Sequence, residues 1–277
     1  MYPDKKSFSC TRCEYRAEYS NGIINFNTEK NTSSGDYSPD DLRILYNAEA
    51  SHFWFLARKK YILSLFNKHV SKNMSIIEIG AGTGDVSRML IDNGYDVSAG
   101  ELYTEGLEFA RSYGLKKLYC FDLRKPPFMD HFDAVGLFDV LEHIEDDTDA
   151  LINIRKVLKP GGTLVMTVPA YKWLWHEGDV KAGHKRRYTR KGLNNILKKA
   201  GYRVHESKYF FSILLPLLFM RKLISIDTDN STDTGEIEPV NPVINNILYR
   251  LLLIENSVFQ KAPLPFGGSI SIVAEKI

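Results

Sequence analysis

The stretch Ser75-Ile-Ile-Glu78-Ile79-Gly80-Ala81-Gly82-Thr83-Gly84-Asp85 constrains this chain more than any other. A short apolar run ends beside an acid, glycine recurs at every second position, and Asp85 can open a helix. The segment therefore reads as a strand turning tightly into a helix. Glycine at 80, 82 and 84 lets the main chain double back and lets a ligand press against it. The spacing lacks the offset third glycine of a dinucleotide phosphate loop, which points away from a pyrophosphate ligand.

Strand and helix signals alternate from there. Val86 to Asn93 is amphipathic and stops at Gly94, and the strand Tyr95 to Gly100 ends at Glu101. Glu101 lies 21 positions after Gly80, where doubly wound folds hold the carboxylate that meets ribose hydroxyls. A helix from Glu105 to Tyr113 stops at Gly114, and the strand Leu118 to Phe121 ends at a second acid, Asp122. A third strand, Phe132 to Phe138, runs into Asp139-Val140-Leu141-Glu142-His143 and a helix opened by Asp146. Lys159-Pro160-Gly161-Gly162 breaks the chain before the strand Thr163 to Val168; Tyr202 to Tyr209 and Ser269 to Ala274 supply the last strands. The repetition predicts an α/β fold, a parallel sheet covered on both faces, with ligands bound outside the carboxyl ends of its strands.

Residues 1–36 read as a β-hairpin, turned at Asn21-Gly22, plus a polar linker, and 37–277 as one domain carrying a helical apolar insertion at about 210–266. The 36 basic and 34 acidic residues balance, so no strong field gathers nucleic acid. The first residues are polar rather than signal-like, no apolar run reaches membrane-span length, and three cysteines make no disulfide framework. A cytoplasmic setting is the default. Within the insertion, Phe210 to Met220 either lies at a membrane interface or packs on the domain or a second copy. Asp227 to Glu238 reads as a mobile loop, and Asn241-Pro242 opens a helix with a broad apolar face at Ile244, Ile247, Leu248, Leu251, Leu252 and Val258.

In a doubly wound sheet the segment after the fifth strand faces the ligand crevice. Trp173, Arg187 and Tyr188 are therefore candidate substrate contacts, with His184, Lys185 and Arg186 in the same basic run. The alternative is a solvated basic turn, with Thr189 as the N-cap of the next helix. His143 is the first catalytic candidate, for proton removal, and His184 the second; His143 equally suits ordering of its loop by hydrogen bonds.

Glu78 to Gly84, Glu101, Asp122, Asp139 to His143 and Arg155 to Gly162 together resemble the ordered motifs of class I S-adenosylmethionine-dependent methyltransferases, over about His52 to Tyr209 and again Gly267 to Ile277. The resemblance implies a Rossmann-like, mostly parallel seven-stranded sheet with an antiparallel last strand. It implies S-adenosylmethionine as cofactor and S-adenosylhomocysteine as product. Gly80, Gly82 and Gly84 would line the methionine part, Glu101 the ribose, Asp122 the adenine amino group and Leu123 the ring, with Glu78, Ala81, Leu102, Asp139 and Val140 completing the set. Trp54 and Arg58 either close over the cofactor as an N-terminal lid or pack with their neighbours Phe55, Ile62, Leu63 and Phe66 onto the sheet. Cys10-Thr-Arg-Cys13 resembles half of a zinc-ribbon module; one Cys-x-x-Cys is short of four ligands, so no zinc and no other metal ligand set is expected.

The implied activity is methyl transfer to an oxygen of a small-molecule, sugar or lipid-linked acceptor. The Gly183-His184-x-x-Arg187-Tyr188 element is similar to one in methyltransferases of bacterial polysaccharide and glycolipid functions. A nicotinamide-dependent oxidoreductase and a non-catalytic cofactor-binding or interaction protein are the alternatives. Peripheral membrane contact and a homodimer are compatible with the apolar insertion.

Overall fold

A computed structural model describes residues 7–9, 15–27, 39–224, 240–259 and 264–277. The Cys10–Cys13 knuckle, most of the linker and the 227–238 loop lie outside them. The strands are β1 (Ser7–Ser9), β2 (Arg16–Ser20), β3 (Ile23–Asn25), β4 (Ser75–Ile79), β5 (Asp96–Glu101), β6 (Leu118–Cys120), β7 (Phe132–Phe138), β8 (Leu158–Pro169), β9 (Tyr202–Phe210) and β10 (Ser269–Lys276). The helices are α1 (Pro39–Glu49), α2 (Phe53–His69), α3 (Asp85–Asp92), α4 (Thr104–Ser112), α5 (Asp147–Val157), α6 (Glu177–Lys181), α7 (Arg190–Lys199), α8 (Leu215–Ile224) and α9 (Pro242–Phe259).

These strands form one sheet in the order β1-β2-β3-β6-β5-β4-β7-β8-β10-β9. From β6 to β9 it is the expected seven-stranded arrangement: β6, β5, β4, β7 and β8 run parallel, and β10 is antiparallel to both β8 and β9. The hairpin turns at Asn21 (φ 51°) and Gly22 (φ 81°), both in the left-handed region that a two-residue hairpin needs. An unforeseen feature follows, because β3 pairs in parallel with β6 and carries β1 and β2 onto the main sheet. That pairing covers what would otherwise be an open edge along β6.

Successive residues of a strand point to opposite faces, so buried Ile76 and Ile77 serve two different cores. On one face Ile77, Val135 and Leu137 meet Leu151 and Ile154 of α5 and Leu193 and Leu197 of α7. On the other, Ile76, Val97 and Ala134 meet Ile62 and Phe66 of α2, Leu90 of α3 and Leu252 of α9. The buried stripe of α2 runs through Phe53, Ala57, Tyr61, Ile62, Leu65 and Phe66. Phe55 and Leu63, expected on that stripe, are only half-buried. With apolar residues around most of the helix, its sequence pattern does not choose one face.

Side chains tie the connection between β9 and β10 to the start of α2 and to itself. Asn245 accepts from Phe53 N (2.8 Å) and donates to Ser51 O (2.9 Å), and buried Glu255 accepts from Ser212 N (2.7 Å) and Ile213 N (2.9 Å). The expected apolar face of α9 is divided: Leu252 is buried and Leu248 packs on the core, whereas Ile244, Ile247, Leu251 and Val258 are exposed. No helix among the described residues is long and apolar enough to cross a membrane.

Candidate functional site

The loop between β4 and α3 is held by its neighbours' main chain: Gly80 N and Ala81 N both donate to Gly100 O, at 2.9 and 3.1 Å. Gly82 has φ 54°, and a Cβ placed on it meets nothing within 4 Å, so bare main chain faces open space there. The other two glycines answer to the protein. A Cβ on Gly80 would sit 2.4 Å from Val140, and one on Gly84 2.6 Å from Ala110. Of the three, Gly82 leaves its side-chain position open, while Gly80 and Gly84 allow close packing. Gly106, which the sequence reading passed over, has the same use, because its Cβ would lie 2.5 Å from Gly82 O.

Beside Gly82 stands Glu101, at the carboxyl end of β5. Gly82 N donates to its Oε2 (2.8 Å) and Leu102 N to its Oε1 (2.6 Å). Burial pushes this carboxyl above its usual range, against the backbone donors that favour its charged form. At the next strand end, burial would raise Asp122, but the hydrogen bonds and charge of Arg124 outweigh it and hold the carboxyl low. Arg124 Nε lies 2.8 Å from Asp122 Oδ2, and half-buried Leu123 packs against the core between them. Leu102 O accepts from Asn27 Nδ2 (3.1 Å), which brings the N-terminal hairpin to this end of the cleft. Glu78 lies beneath the loop, where Ser87 donates to it and burial lifts it to about 7.

The junction of α1 and α2 is tied down onto the same loop. Thr83 donates to buried Glu49, Lys59 pairs with Asp85 (2.7 Å), and Arg58 pairs with Asp139 (2.6 Å) while donating to Phe138 O (2.9 Å). Asp139 is left-handed at φ 54°, and Arg58 holds it there. Trp54 is half-buried beneath the Arg58 guanidinium, 5.2 Å from ring centre to carbon, and against Phe211. The ties made by Glu49 and Lys59 were missed, their only sequence signal being polarity within amphipathic surroundings; Thr83 lies in the glycine motif, but its bond to Glu49 had no sequence signal.

After β8, the chain turns through Trp173 and α6 into the basic run. Asp179 on α6 is fully buried and receives Arg187 Nε at 2.7 Å, with His184 Nδ1 also 2.7 Å away. Burial would raise it, but His184 and Arg187 hold its carboxyl at about 2. Arg186 pairs with Asp147 at 3.1 Å, and Lys185 N donates to Glu142 O at 2.7 Å. Thr189 caps α7 by accepting from Gly192 N, as its position predicts.

Two expected substrate contacts accordingly turn inward. The Arg187 side chain is 5% exposed and committed to Asp179, and Tyr188 is a core residue whose hydroxyl donates to Asp147 (3.1 Å). Trp173 remains at the rim, 48% exposed, 6.4 Å from the Phe219 ring of α8. The two catalytic candidates do come together: the rings of His143 and His184 meet edge to face, 4.7 Å apart.

Comparison with known proteins bears on the family and the fold. A family model described as a methyltransferase domain matches residues 46–207, more than half of the chain. A ubiquinone biosynthesis O-methyltransferase of Xanthomonas oryzae pv. oryzae is 31% identical over 99 residues, 33% of this chain and 41% of that protein. The match thus spans about two-fifths of that relative's length. A Haemonchus contortus phosphoethanolamine N-methyltransferase 2, solved with S-adenosylhomocysteine and phosphomonomethylethanolamine, superposes with a TM-score of 0.58 at 18% identity, covering 87% of this chain and 58% of that one. The [4+2]-cyclase SpnF superposes at 0.57 with 16% identity, covering 85% and 93%. Likeness at such identities speaks for the fold alone. The family match and the sheet order together assign the chain to the methyltransferase-domain family, with the Rossmann-like fold of the class I S-adenosylmethionine-dependent enzymes.

Proposed function

We propose that this protein transfers the methyl group of S-adenosylmethionine to an oxygen of a small-molecule, sugar or lipid-linked acceptor. The observation that carries the reading is the junction of Gly82 and Glu101, where open main chain on one strand end meets a fixed carboxylate on the next. Those residues fit the cofactor: the Glu101 carboxylate, held by the backbone N–H groups of Gly82, Leu102 and Tyr103, keeps lone-pair capacity for a ribose hydroxyl. Asp122, aimed by Arg124, offers an acceptor for an amino group, and the open side-chain position of Gly82 leaves room for the cofactor's methionine arm.

The sulfonium cofactor supplies an already activated methyl group. What remains for the protein is alignment, exclusion of water and removal of the acceptor's proton. Arg58, Lys59 and Glu49 fix the helical junction against the loop, which serves alignment. Proton removal falls to the His143–His184 pair, where Asp179 orients the His184 ring. Trp173 beside Phe219 supports an acceptor with an apolar portion, and it borders the exposed apolar side chains of α8.

Calorimetry with S-adenosylmethionine, S-adenosylhomocysteine and NAD tests the cofactor. Heat with the first two and none with NAD is expected; the reverse supports an oxidoreductase. Incubation with methyl-labelled cofactor and fractionated extract tests turnover. Label on an oxygen of one compound is expected. Binding without transfer on any fraction supports the non-catalytic alternative, and label on nitrogen or carbon overturns the oxygen assignment.

A further inference from the structure

Where β7 ends, the 3-10 turn Leu141–His143 brings Glu142 and His143 against His184 from the segment between α6 and α7. One ligand-type atom from each of these three side chains lies within 4.8 Å of the others. Glu142 is fully buried, and the His184 side chain is 9% exposed. From these positions we infer that Glu142, His143 and His184 form a binding site for a divalent transition-metal ion.

The orientation of His184 is the strongest support. Its Nδ1 sits 2.7 Å from Asp179 Oδ1, and a neutral imidazole donates from the nitrogen that faces a carboxylate. Its Nε2 lone pair is thereby turned toward Glu142 Oε1, 4.0 Å away. That gap is too long for a hydrogen bond, and an inward shift of a few tenths of an ångström by each side chain would bring the two atoms to the spacing of neighbouring tetrahedral ligands about 2.0–2.2 Å from one ion. A ligating histidine commonly gives its other N–H to a carboxylate, which fixes the tautomer and raises ligand basicity.

Asp179 is itself anchored. It is fully buried, its Oδ1 accepts from Arg187 Nε, and its Oδ2 accepts from His176 N at 3.0 Å. Lys185 N donates to Glu142 O at 2.7 Å, so the two segments that supply the ligands are locked to each other. Two imidazoles and one carboxylate make a donor set for zinc, iron(II), cobalt or nickel rather than for magnesium or calcium, which prefer oxygen alone. Three protein ligands leave coordination positions open. A further consequence rests on the methyl-transfer reading: with the ion bound, His143 and His184 serve as its ligands rather than as the base, and the ion in their place would raise the proton acidity of an acceptor oxygen bound there. Ion binding itself does not depend on that reading.

Cobalt(II) added to the metal-free full chain tests the site without any turnover. One equivalent is expected to bind with the ligand-field absorption of a nitrogen- and oxygen-ligated ion, and zinc is expected to displace it. His184→Gln and Glu142→Gln are each expected to weaken binding at least about 100-fold, and Asp179→Asn about 10- to 100-fold. Circular dichroism and S-adenosylhomocysteine calorimetry on the same variants report folding and the cofactor cleft separately. A Cys10→Ser/Cys13→Ser variant is expected to keep the equivalent. Thiolate charge-transfer bands that vanish in that variant, no binding by the wild-type chain, or equal affinity in folded His184→Gln and Glu142→Gln, would overturn the assignment.

Discussion

The glycine loop and the His176–Tyr188 segment both follow carboxyl ends of the parallel strands, β4 and β8, yet they are made of different material. At the loop, main-chain donors and side-chain-free positions do the shaping, and Glu101 is gripped by backbone N–H groups. At the segment, a buried carboxylate gathers an arginine and a histidine, and backbone bonds are secondary. The first arrangement presents a surface to a ligand at little cost to the fold. The second couples the positions of its functional side chains to the stability of the whole segment, because a buried charge tolerates no missing partner.

The largest expected effect tests that coupling. Asp179→Ala leaves the buried Arg187 guanidinium without its carboxylate and should cost about 3–5 kcal/mol in denaturant unfolding. A loss below about 1 kcal/mol would mean that Arg187 swings into water, and the contrast between the regions would fail. Gly82→Val comes next. It should weaken S-adenosylhomocysteine at least about 100-fold, near 2.7 kcal/mol, while the left-handed conformation costs the fold at least about 1–2 kcal/mol. Gly84→Val should do the opposite, destabilising more and acting on the ligand only through the fold, because Ala110 occupies the space. Equal behaviour of the two variants in calorimetry and melting would erase the distinction.

The contrast also explains what could be read from the sequence. Gly80 to Gly84, Glu101 and Asp122 lie at strand ends whose periodicity is local, so the parallel strands of the central sheet and the candidate cofactor residues at their ends could be picked out. The ties that close this half were not, since Lys59 reaches Asp85 across 26 positions, Thr83 reaches Glu49 across 34 and Arg58 reaches Phe138 across 80. In the second region the partners are close in sequence, and yet Lys185-Arg186-Arg187 reads as a solvated or ligand-facing run. What the pattern conceals is the burial of Asp179, which only the packing of α6 decides. The pairing of β3 with β6 was hidden likewise, because three-residue strands carry little periodicity.

Glu49 offers a smaller effect at the boundary of the loop. Burial first, and Asp85 second, push its carboxyl from 4.5 to about 8, against the Thr83 hydrogen bond and the charges of Arg58 and Lys59. The folded state therefore holds more protons than the unfolded one between these values. The contribution of this carboxyl is complete below about 4.5 and is lost as the pH climbs through about 8. Glu49→Gln, which keeps an acceptor for Thr83, should flatten the fall of Tm over that window by a few degrees. Glu78, raised to about 7, continues to titrate, so the slope should shrink rather than vanish. An unchanged profile would show that the carboxyl is ionised in the folded protein, with Lys59 and Arg58 prevailing.

The smallest effect on stability belongs to Trp173, which stands outside both arrangements. Half of its surface is exposed at 48%, and its ring contacts include Tyr171 at 5.5 Å and Phe219 at 6.4 Å. Trp173→Ala should therefore change unfolding free energy by about 0.5 kcal/mol or less and leave S-adenosylhomocysteine affinity unchanged. Its consequence should fall on the acceptor, as a several-fold rise in KM with a smaller change in kcat, because the ring supplies contact area equally before and during transfer. Trp173→Phe should recover most of that loss. A fall in kcat at constant KM would instead link this rim residue to alignment of the reacting atoms, and would join it to the ion-paired segment from which the structure sets it apart.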